Sequence, residues 1–169
     1  MTRASDLFTK FCIKTNLLKR FKMLEPIGKG GFATVYKMER RDDKKLFAIK
    51  LIKKSTLKGA KEISYLINEV EVLRIMDHPN IVKTYEVHEL DIYIAIVQEH
   101  LTGDTLRNYY KENKVREYDA IQIIYQLFLA LNYIHKFRII HRDLKPGNIM
   151  LREINKNGKY FCSRYQICL

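Results

Sequence analysis

The sequence predicts an α+β protein with two lobes, the first an antiparallel β-sheet with one helix and the second mainly helical. Short segments with strand-like apolar patterns fill most of the first hundred positions, and long segments with helical spacing come later. Because the strands are grouped ahead of the large helices, the two kinds of element are expected to form separate lobes. One connection near residues 99–103 is expected to join them.

Three strands in a meander are predicted to open the β lobe. The segments FKMLEPIG, ATVYKMER and LFAIKLI are strand-like, and the polar residues 41–45 form the turn before the third. Residues 58–76 then carry apolar side chains at steps of three and four, which predicts a helix, and Pro79 ends it because proline cannot continue a helix. The β-rich segments IVKTYEV and IYIAIVQE follow.

Two helices are predicted in the second lobe. A turn at Gly103 and Asp104 precedes a short helix, and a long helix covers about Tyr118–Lys136. The long helix is apolar on almost all sides, so it requires packing partners around most of its circumference. Any part of that surface left uncovered is expected to favour aggregation or to attract a partner.

The composition indicates a folded protein with a basic surface. Lysine and arginine number 31 against 19 acidic residues, which gives a formal charge of +12. That balance suits nucleic acid, anionic lipid or a polyphosphate ligand, and it also fits an ordinary solvated surface. The basic residues are spread along the chain without a run of five or six, which argues against a dedicated nucleic-acid surface.

Neither a secretion signal nor a membrane span is indicated. The N-terminal segment lacks the apolar core of a signal peptide, and the apolar stretch Ala120–Ile134 is interrupted by polar residues. The three cysteines lack metal-ligand spacing, which fits a reducing compartment. We therefore expect a soluble cytoplasmic protein, with the nucleus as an alternative.

The segment GKGGFATV between the first two strands suits a phosphate ligand. Gly28 and Gly30 let the backbone approach a bound group and leave N–H donors facing its oxygens. A glycine-rich hairpin is also an ordinary turn, and Ala33 at the third position of a G-x-G-x-x-G pattern makes the match imperfect.

Lys50 is a candidate anion-binding residue on the third strand. Strand alternation places it with Ala48 on the face beneath the glycine-rich turn, although a lysine whose stem lies along a half-buried strand gives the same pattern. Glu69 lies on the predicted helix beside its apolar positions. A carboxylate there would keep the ammonium charged and aimed, so we predict an ion pair between Lys50 and Glu69.

The segment IIHRDLKPGNIM combines the parts that phosphoryl transfer requires. The carboxylate of Asp143 can receive a hydroxyl proton, the ammonium of Lys145 can neutralise phosphate charge, and the amide oxygen of Asn148 can bind a hard divalent cation. The apolar pairs Ile139–Ile140 and Ile149–Met150 are expected to anchor the ends of the loop. Each polar residue alone would be an ordinary loop residue, so the inference rests on their combination.

These motifs resemble the first part of a eukaryotic protein kinase domain. The glycine-rich turn, FAIK, NEVEVLRIMDHPNIV and HRDLKPGN follow in the order of that family, over about residues 21–168. Lys145, two residues after Asp143, resembles the serine/threonine class, and the overall pattern is similar to calcium/calmodulin-dependent and calcium-dependent kinases. The resemblance implies a protein-kinase-like two-lobe fold. Its parts would be an N-terminal extension (1–20) and a partial kinase domain (21–169), divided into N-lobe (21–98), hinge (99–103) and incomplete C-lobe (104–169).

ATP and Mg²⁺ are the cofactors that the resemblance implies. Lys50 would hold the α- and β-phosphates and be positioned by Glu69. Asp143 would orient the substrate hydroxyl and accept its proton, Lys145 would stabilise the γ-phosphoryl group, and Asn148 would bind one Mg²⁺. The residues implied to contact ATP are Gly28, Lys29, Gly30, Gly31, Val35, Ala48, Lys50, Glu99, Leu101, Asp104 and Met150.

Three further positions follow from the resemblance. Gln98 falls at the gatekeeper position, where many relatives have an apolar residue. Thr105 is the alternative to Asp104 for a ribose contact. Arg142 would pair with a phosphate on the activation loop.

The family pattern continues past Leu169. An Asp-Phe-Gly motif, whose aspartate carries the principal Mg²⁺ in that family, would follow a hairpin turn at NKNG and a strand at YQICL. We therefore expect the chain by itself to be a fragment with weak or absent activity, because losing such a metal ligand costs roughly a thousandfold or more in rate.

The predicted function is that of a serine/threonine protein kinase domain, which phosphorylates protein hydroxyls with ATP. The alternative is a catalytically dead, pseudokinase-like module that binds nucleotide or a partner, and a basic nucleic-acid binder is a third interpretation. The expected partners are a protein substrate with a serine or threonine hydroxyl and a partner that covers the incomplete C-lobe. No nucleic acid and no membrane span are expected.

Overall fold

The computed structural model describes residues 17–30, 33–57, 60–151 and 165–167. The chain divides into two compact units, the first made of residues 1–75 and 84–100 and the second of residues 76–83 and 101–169. Segment 76–83 therefore groups with the second unit, although the sequence indicated only one connection. Its side chains explain the grouping, since Asn80 Nδ2 donates to Gln126 Oε1 at 2.8 Å.

An antiparallel five-stranded sheet forms the first unit. The strands β1 to β5 have the spatial order β1-β2-β3-β5-β4, so the predicted meander of the first three is confirmed. A four-residue helix α1 precedes the sheet, and helix α2 lies against β4. The elements are α1 Leu17–Arg20, β1 Phe21–Lys29, β2 Ala33–Arg40, β3 Leu46–Lys53, α2 Ala60–Ile75, β4 Thr84–Glu89 and β5 Tyr93–Glu99.

One face of this sheet carries an apolar core that includes α1. Leu17 is buried beside Phe21, so a residue assigned by sequence to the N-terminal extension packs within the first unit. Phe21 and Phe47 meet edge to face at 5.5 Å between ring centroids. The buried members of this core are Leu17, Phe21, Met38, Phe47, Ile49, Ala95 and Val97.

Helices and a small two-stranded sheet form the second unit. Helix α3 spans Leu106–Glu112, and helix α4 spans Glu117–Lys136. Strand β6 (Ile149–Leu151) pairs antiparallel with strand β7 (Tyr165–Ile167), which confirms the predicted strand over those three residues. The predicted NKNG turn lies outside the described residues.

The long helix α4 buries only one stripe of its apolar surface. Its buried residues are Ile123, Leu127, Ala130 and Ile134. Ile121, Ile124, Tyr125 and Phe128 are exposed, as expected for a helix that is apolar on several sides. Among the described helices, none has both the length and the hydropathy to cross a membrane.

Candidate functional site

In the first unit, three strands present one row of candidate ligand-binding residues. Gly28 on β1 lies opposite Val35 on β2, and Val35 lies opposite Lys50 on β3. Directly opposed residues of an antiparallel sheet share a face, so the row belongs to one surface. A Cβ at position 28 would touch Val35 at 3.7 Å. The missing side chain thus leaves open space above Val35.

Lys50 and Glu69 form the predicted ion pair. The Lys50 Nζ donates to Glu69 Oε1, which joins β3 to the middle of α2. The two side chains are 26% and 33% exposed, so the pair is half-buried, and both groups remain reachable from solvent. The sheet and the helix together therefore hold an ammonium group on the same face as Gly28 and Val35.

Of the neighbouring positions on the sheet, Ala48 has the predicted placement on the face of Lys50. Ala48 is opposite Gln98 on β5, so both lie on the face of Lys50. Gln98 Nε2 donates to Thr84 Oγ1 at 3.3 Å, which ties the amide to β4. Glu99, assigned by sequence to the hinge, is the last residue of β5 and lies opposite Phe47.

An open depression of about 470 Å³ lies on the opposite face of the β1–β2 hairpin. Thr34 and Tyr36 line it, and these residues alternate with Val35 along β2. Thr34 and Tyr36 therefore lie on the face opposite Val35 and Lys50. Gly28, which has no side chain, borders the depression as well.

In the second unit, the catalytic-loop candidates form one hydrogen-bonded cluster. Lys145 Nζ donates to both carboxylate oxygens of Asp143, at 2.7 and 2.8 Å. Asn148 Nδ2 donates to Asp143 Oδ2 at 2.9 Å and to its carbonyl oxygen at 2.8 Å. The amide nitrogen of Asn148 makes both bonds. Its amide oxygen is therefore the atom that can bind a cation.

The charge of Asp143 is stabilised by these contacts. The hydrogen bond from Lys145 lowers the pKa of Asp143 below its usual value, and the bond from Asn148 acts in the same direction. Asp143 is consequently ionised at neutral pH. It presents an exposed carboxylate that can orient a hydroxyl group and receive its proton.

His141 is a positioning residue that the sequence analysis did not single out. Its Nδ1 accepts a hydrogen bond from the backbone N–H of Asp143 at 3.2 Å. A polar side chain two residues before a loop carboxylate is the available sequence signal, because such side chains bond to nearby backbone groups.

The expectation that two apolar pairs anchor the loop is only partly correct. Ile149 is buried and Met150 is half-buried, but Ile140 is 67% exposed while Ile139 is half-buried. Successive side chains of an extended segment point in opposite directions, so only one member of the first pair faces inward.

The segment around Asp104 is bound tightly to β6. Leu151 N donates to Asp104 O at 3.0 Å, and Thr105 forms an isolated bridge with Met150. A Cβ at Gly103 would lie 2.2 Å from the Leu151 carbonyl oxygen, so only glycine fits there. The structure thereby places Asp104 beside β6, the strand that contains Met150.

The remaining candidates for contact with ATP are Lys29, which ends β1, and Gly30, Gly31 and Leu101. Gly30 follows β1, and its N–H donates to Ala33 O at 2.9 Å, so this donor does not face a ligand as the sequence led us to expect. Leu101 is buried in the second unit, whereas Gly31 lies outside the described residues. Arg142 is exposed and has a positive φ of 64°. Among the residues described, no group of three or more His, Cys, Asp or Glu side chains could hold a metal ion.

Comparison with known proteins matches the protein kinase domain over residues 21–161. The chain is 36% identical over 144 residues to mouse "Serine/threonine-protein kinase DCLK3", covering 85% of this chain and 18% of that protein. It is 36% identical over 139 residues to "Calcium-dependent protein kinase 4" of Plasmodium falciparum, covering 82% and 26%. The chain thus spans about a quarter or less of these relatives.

A solved structure is also similar. The crystal structure of Rad53 1-466 in complex with AMP-PNP superposes with a TM-score of 0.79 and 31% identity, over 92% of this chain and 40% of that one.

Proposed function

The chain belongs to the protein kinase domain family, and from this premise we propose that it binds ATP with Mg²⁺ and phosphorylates serine or threonine hydroxyls of proteins. Its curated relatives include proteins named as serine/threonine kinases. The observation that carries the proposal is the cluster of Asp143, Lys145 and Asn148, which combines a base, a cation and a metal-binding amide within six residues.

The first unit supplies residues that fit a nucleotide. Gly28 leaves the space over Val35 open, and Lys50 on the same face is kept charged and oriented by Glu69. We propose that Lys50 neutralises phosphate charge and that the backbone around Gly28 and Gly30 lies against the phosphates. The similarity to a protein solved with AMP-PNP supports nucleotide binding.

The second unit supplies the residues for transfer. Bound ATP would provide the phosphoryl group, with Mg²⁺ balancing its charge. Asp143 would hold the hydroxyl of the protein substrate and accept its proton, Asn148 would bind the cation through its amide oxygen, and Lys145 would neutralise charge on the transferred group. Lys145 can act there while it stays bonded to Asp143, since two of its three N–H donors go to the carboxylate and the third remains for a phosphoryl oxygen.

The test measures nucleotide binding and phosphate transfer separately. Binding of MgATP is followed by isothermal titration calorimetry, and transfer is followed with γ-labelled ATP and a generic protein substrate. Asp143→Asn is expected to reduce transfer at least about a hundredfold, because general-base catalysis supplies that order of rate, while nucleotide binding persists. Asp119→Asn is the matched control, since Asp119 is also an exposed carboxylate paired with a cation, Arg116.

A nucleotide-binding module without transfer activity is the second candidate. It is favoured by the hydrogen bonds from Lys145 and Asn148, which lower the pKa of Asp143 and so make its carboxylate a weaker proton acceptor. Transfer that Asp143→Asn abolishes would support the kinase, whereas binding without transfer fits both this candidate and the weak or absent activity expected of the chain by itself. Absence of MgATP binding would contradict both.

A further inference from the structure

We propose that Arg107 is a specificity-determining residue that favours protein substrates with aspartate or glutamate close to the acceptor hydroxyl. The inference rests on the proposed function, because it concerns the substrate of the same loop. It starts from an arginine side chain that lies against the loop of Asp143.

Helix α3 fixes the position of Arg107. Thr105 caps the helix by accepting from the N–H of Asn108, Leu106 is buried, and Arg107 follows with an exposed side chain. The helix lies against the 3₁₀ turn Pro146–Asn148 of the loop. The backbone of Arg107 is therefore anchored, while its charged group is free to meet a ligand.

The guanidinium group lies directly over Gly147. Arg107 Nε and Cζ are 3.7 and 3.9 Å from the place that a Cβ of residue 147 would occupy. Gly147 is the chain neighbour of Asn148, whose amide bonds to the carboxylate of Asp143. The charge of Arg107 thus stands beside the catalytic-loop cluster, and glycine contributes no side chain that would cover it.

Arg107 has no carboxylate partner within the described part of the chain. The two carboxylates of this region are engaged elsewhere. Asp104 Oδ1 accepts from the N–H of Thr105 at 2.6 Å and from Asn108 Nδ2 at 2.9 Å, and Asp143 accepts from Lys145 and Asn148. An acidic side chain of a substrate would therefore meet a guanidinium group with free donors.

An extended peptide bound at Asp143 would keep several of its residues near the acceptor hydroxyl. Each residue advances the chain by about 3.3 Å, so residues one to three positions from a hydroxyl at Asp143 remain within roughly 10 Å of it. Arginine binds carboxylates with two parallel hydrogen bonds, which favours aspartate or glutamate over neutral side chains.

The experiment compares two serine peptides that differ only in the flanking residues, aspartate in one and asparagine in the other. Their affinities for the chain are measured by fluorescence anisotropy, and their phosphorylation is measured with labelled ATP. We expect the acidic peptide to bind about threefold more tightly, the range of an exposed ion pair. Arg107→Gln should abolish the difference.

Three further variants separate the local contact from net charge. Lys114→Gln removes the same charge from an exposed site beyond the end of α3, and it should keep the preference. Gly147→Glu should abolish the preference, because its carboxylate would pair with Arg107. Gly147→Ala adds only a methyl group in ordinary contact with Arg107, so this variant should keep the preference for the acidic peptide.

Equal affinities of the unmodified chain for the two peptides, or no binding of either, would overturn the inference. Equal losses in Arg107→Gln and Lys114→Gln would do the same, since they would indicate net charge alone. Absence of transfer to both peptides would bear on the kinase proposal alone, and the affinity ratio would still decide the role of Arg107.

Discussion

The two candidate clusters are held in place by different kinds of contact. Lys50 and Glu69 are nineteen residues apart and meet only because β3 and α2 pack within the first unit. Asp143, Lys145 and Asn148 lie within six residues of one another and are joined by exposed hydrogen bonds. The position of the Lys50 ammonium group therefore depends on the stability of the first unit, whereas the carboxylate of Asp143 is held mainly by hydrogen bonds within its own loop.

A close tertiary contact beside the loop, between Gly103 and Leu151 of β6, gives the largest expected effect on stability. Replacing Gly103 with alanine would force a Cβ against the Leu151 carbonyl oxygen, and backbone cannot yield as a flexible side chain can. We expect a loss of about 3 kcal/mol in the free energy of unfolding, at the upper end of overpacking costs. Urea-induced unfolding measures it.

Gly28→Ala is the matched control in the first unit. A Cβ there makes an ordinary contact with Val35, so unfolding should change by no more than about 1 kcal/mol. Equal losses in the two variants would mean that the close approach of Gly103 to β6 has no special importance.

Removing the carboxylate of Glu69 tests the coupling between charge and packing. Glu69→Gln should cost about 1–2 kcal/mol of stability, because a half-buried ammonium loses its charged partner. It should also weaken MgATP binding about fivefold, since Lys50 is no longer held in place. Calorimetry of unfolding and of binding measures both.

Glu25→Gln provides the comparison on the same sheet. Glu25 pairs with Lys37 at 3.1 Å in an exposed setting, so both quantities should change little. A similar loss of nucleotide affinity in this variant would show that general surface charge, and not the placement of Lys50, governs binding.

Apart from the control variants, the smallest expected loss of stability is the pH-dependent loss in Glu86→Gln, in the first unit. Hydrogen bonds from Arg20 lower the pKa of Glu86 below its usual 4.5, against the opposing effect of burial. A depressed carboxyl pKa stabilises the fold above pH 4.5, and the contribution is lost as the pH falls through the lower folded value. Glu86→Gln should therefore destabilise by about 1 kcal/mol at pH 7 and by progressively less below pH 4.5.

Thermal unfolding of both proteins from pH 7 to pH 3 measures this dependence. The double variant Arg20→Gln/Glu86→Gln should lose no more stability than the sum of the single changes. A destabilisation by Glu86→Gln that stays constant with pH would mean that the ion pair with Arg20 does not stabilise the α1–β4 contact.

Much of the fold was predictable because its signals are local. Alternating apolar residues located the strands of the meander, and helical spacing located α2 and α4 to within a few residues. The grouping of segment 76–83 with the second unit was not predictable, since it depends on contacts such as that of Asn80 with Gln126 on α4. Which of Ile139 and Ile140 is the more buried was also not predictable, because two adjacent isoleucines give no signal of which side chain faces inward.

The sequence by itself determined the chemical groups and their order: glycines in a hairpin, a lysine on a strand, and a loop with carboxylate, lysine and amide. These features can be read from residue identity and from short spacings, because hydrogen bonds within a loop join residues that are close in sequence. Only the tertiary structure decided that Asn80 meets Gln126, that Leu17 joins the core, and that Arg107 lies over Gly147. Those contacts join residues far apart in the chain, and strand register and helix packing fix which side chains meet.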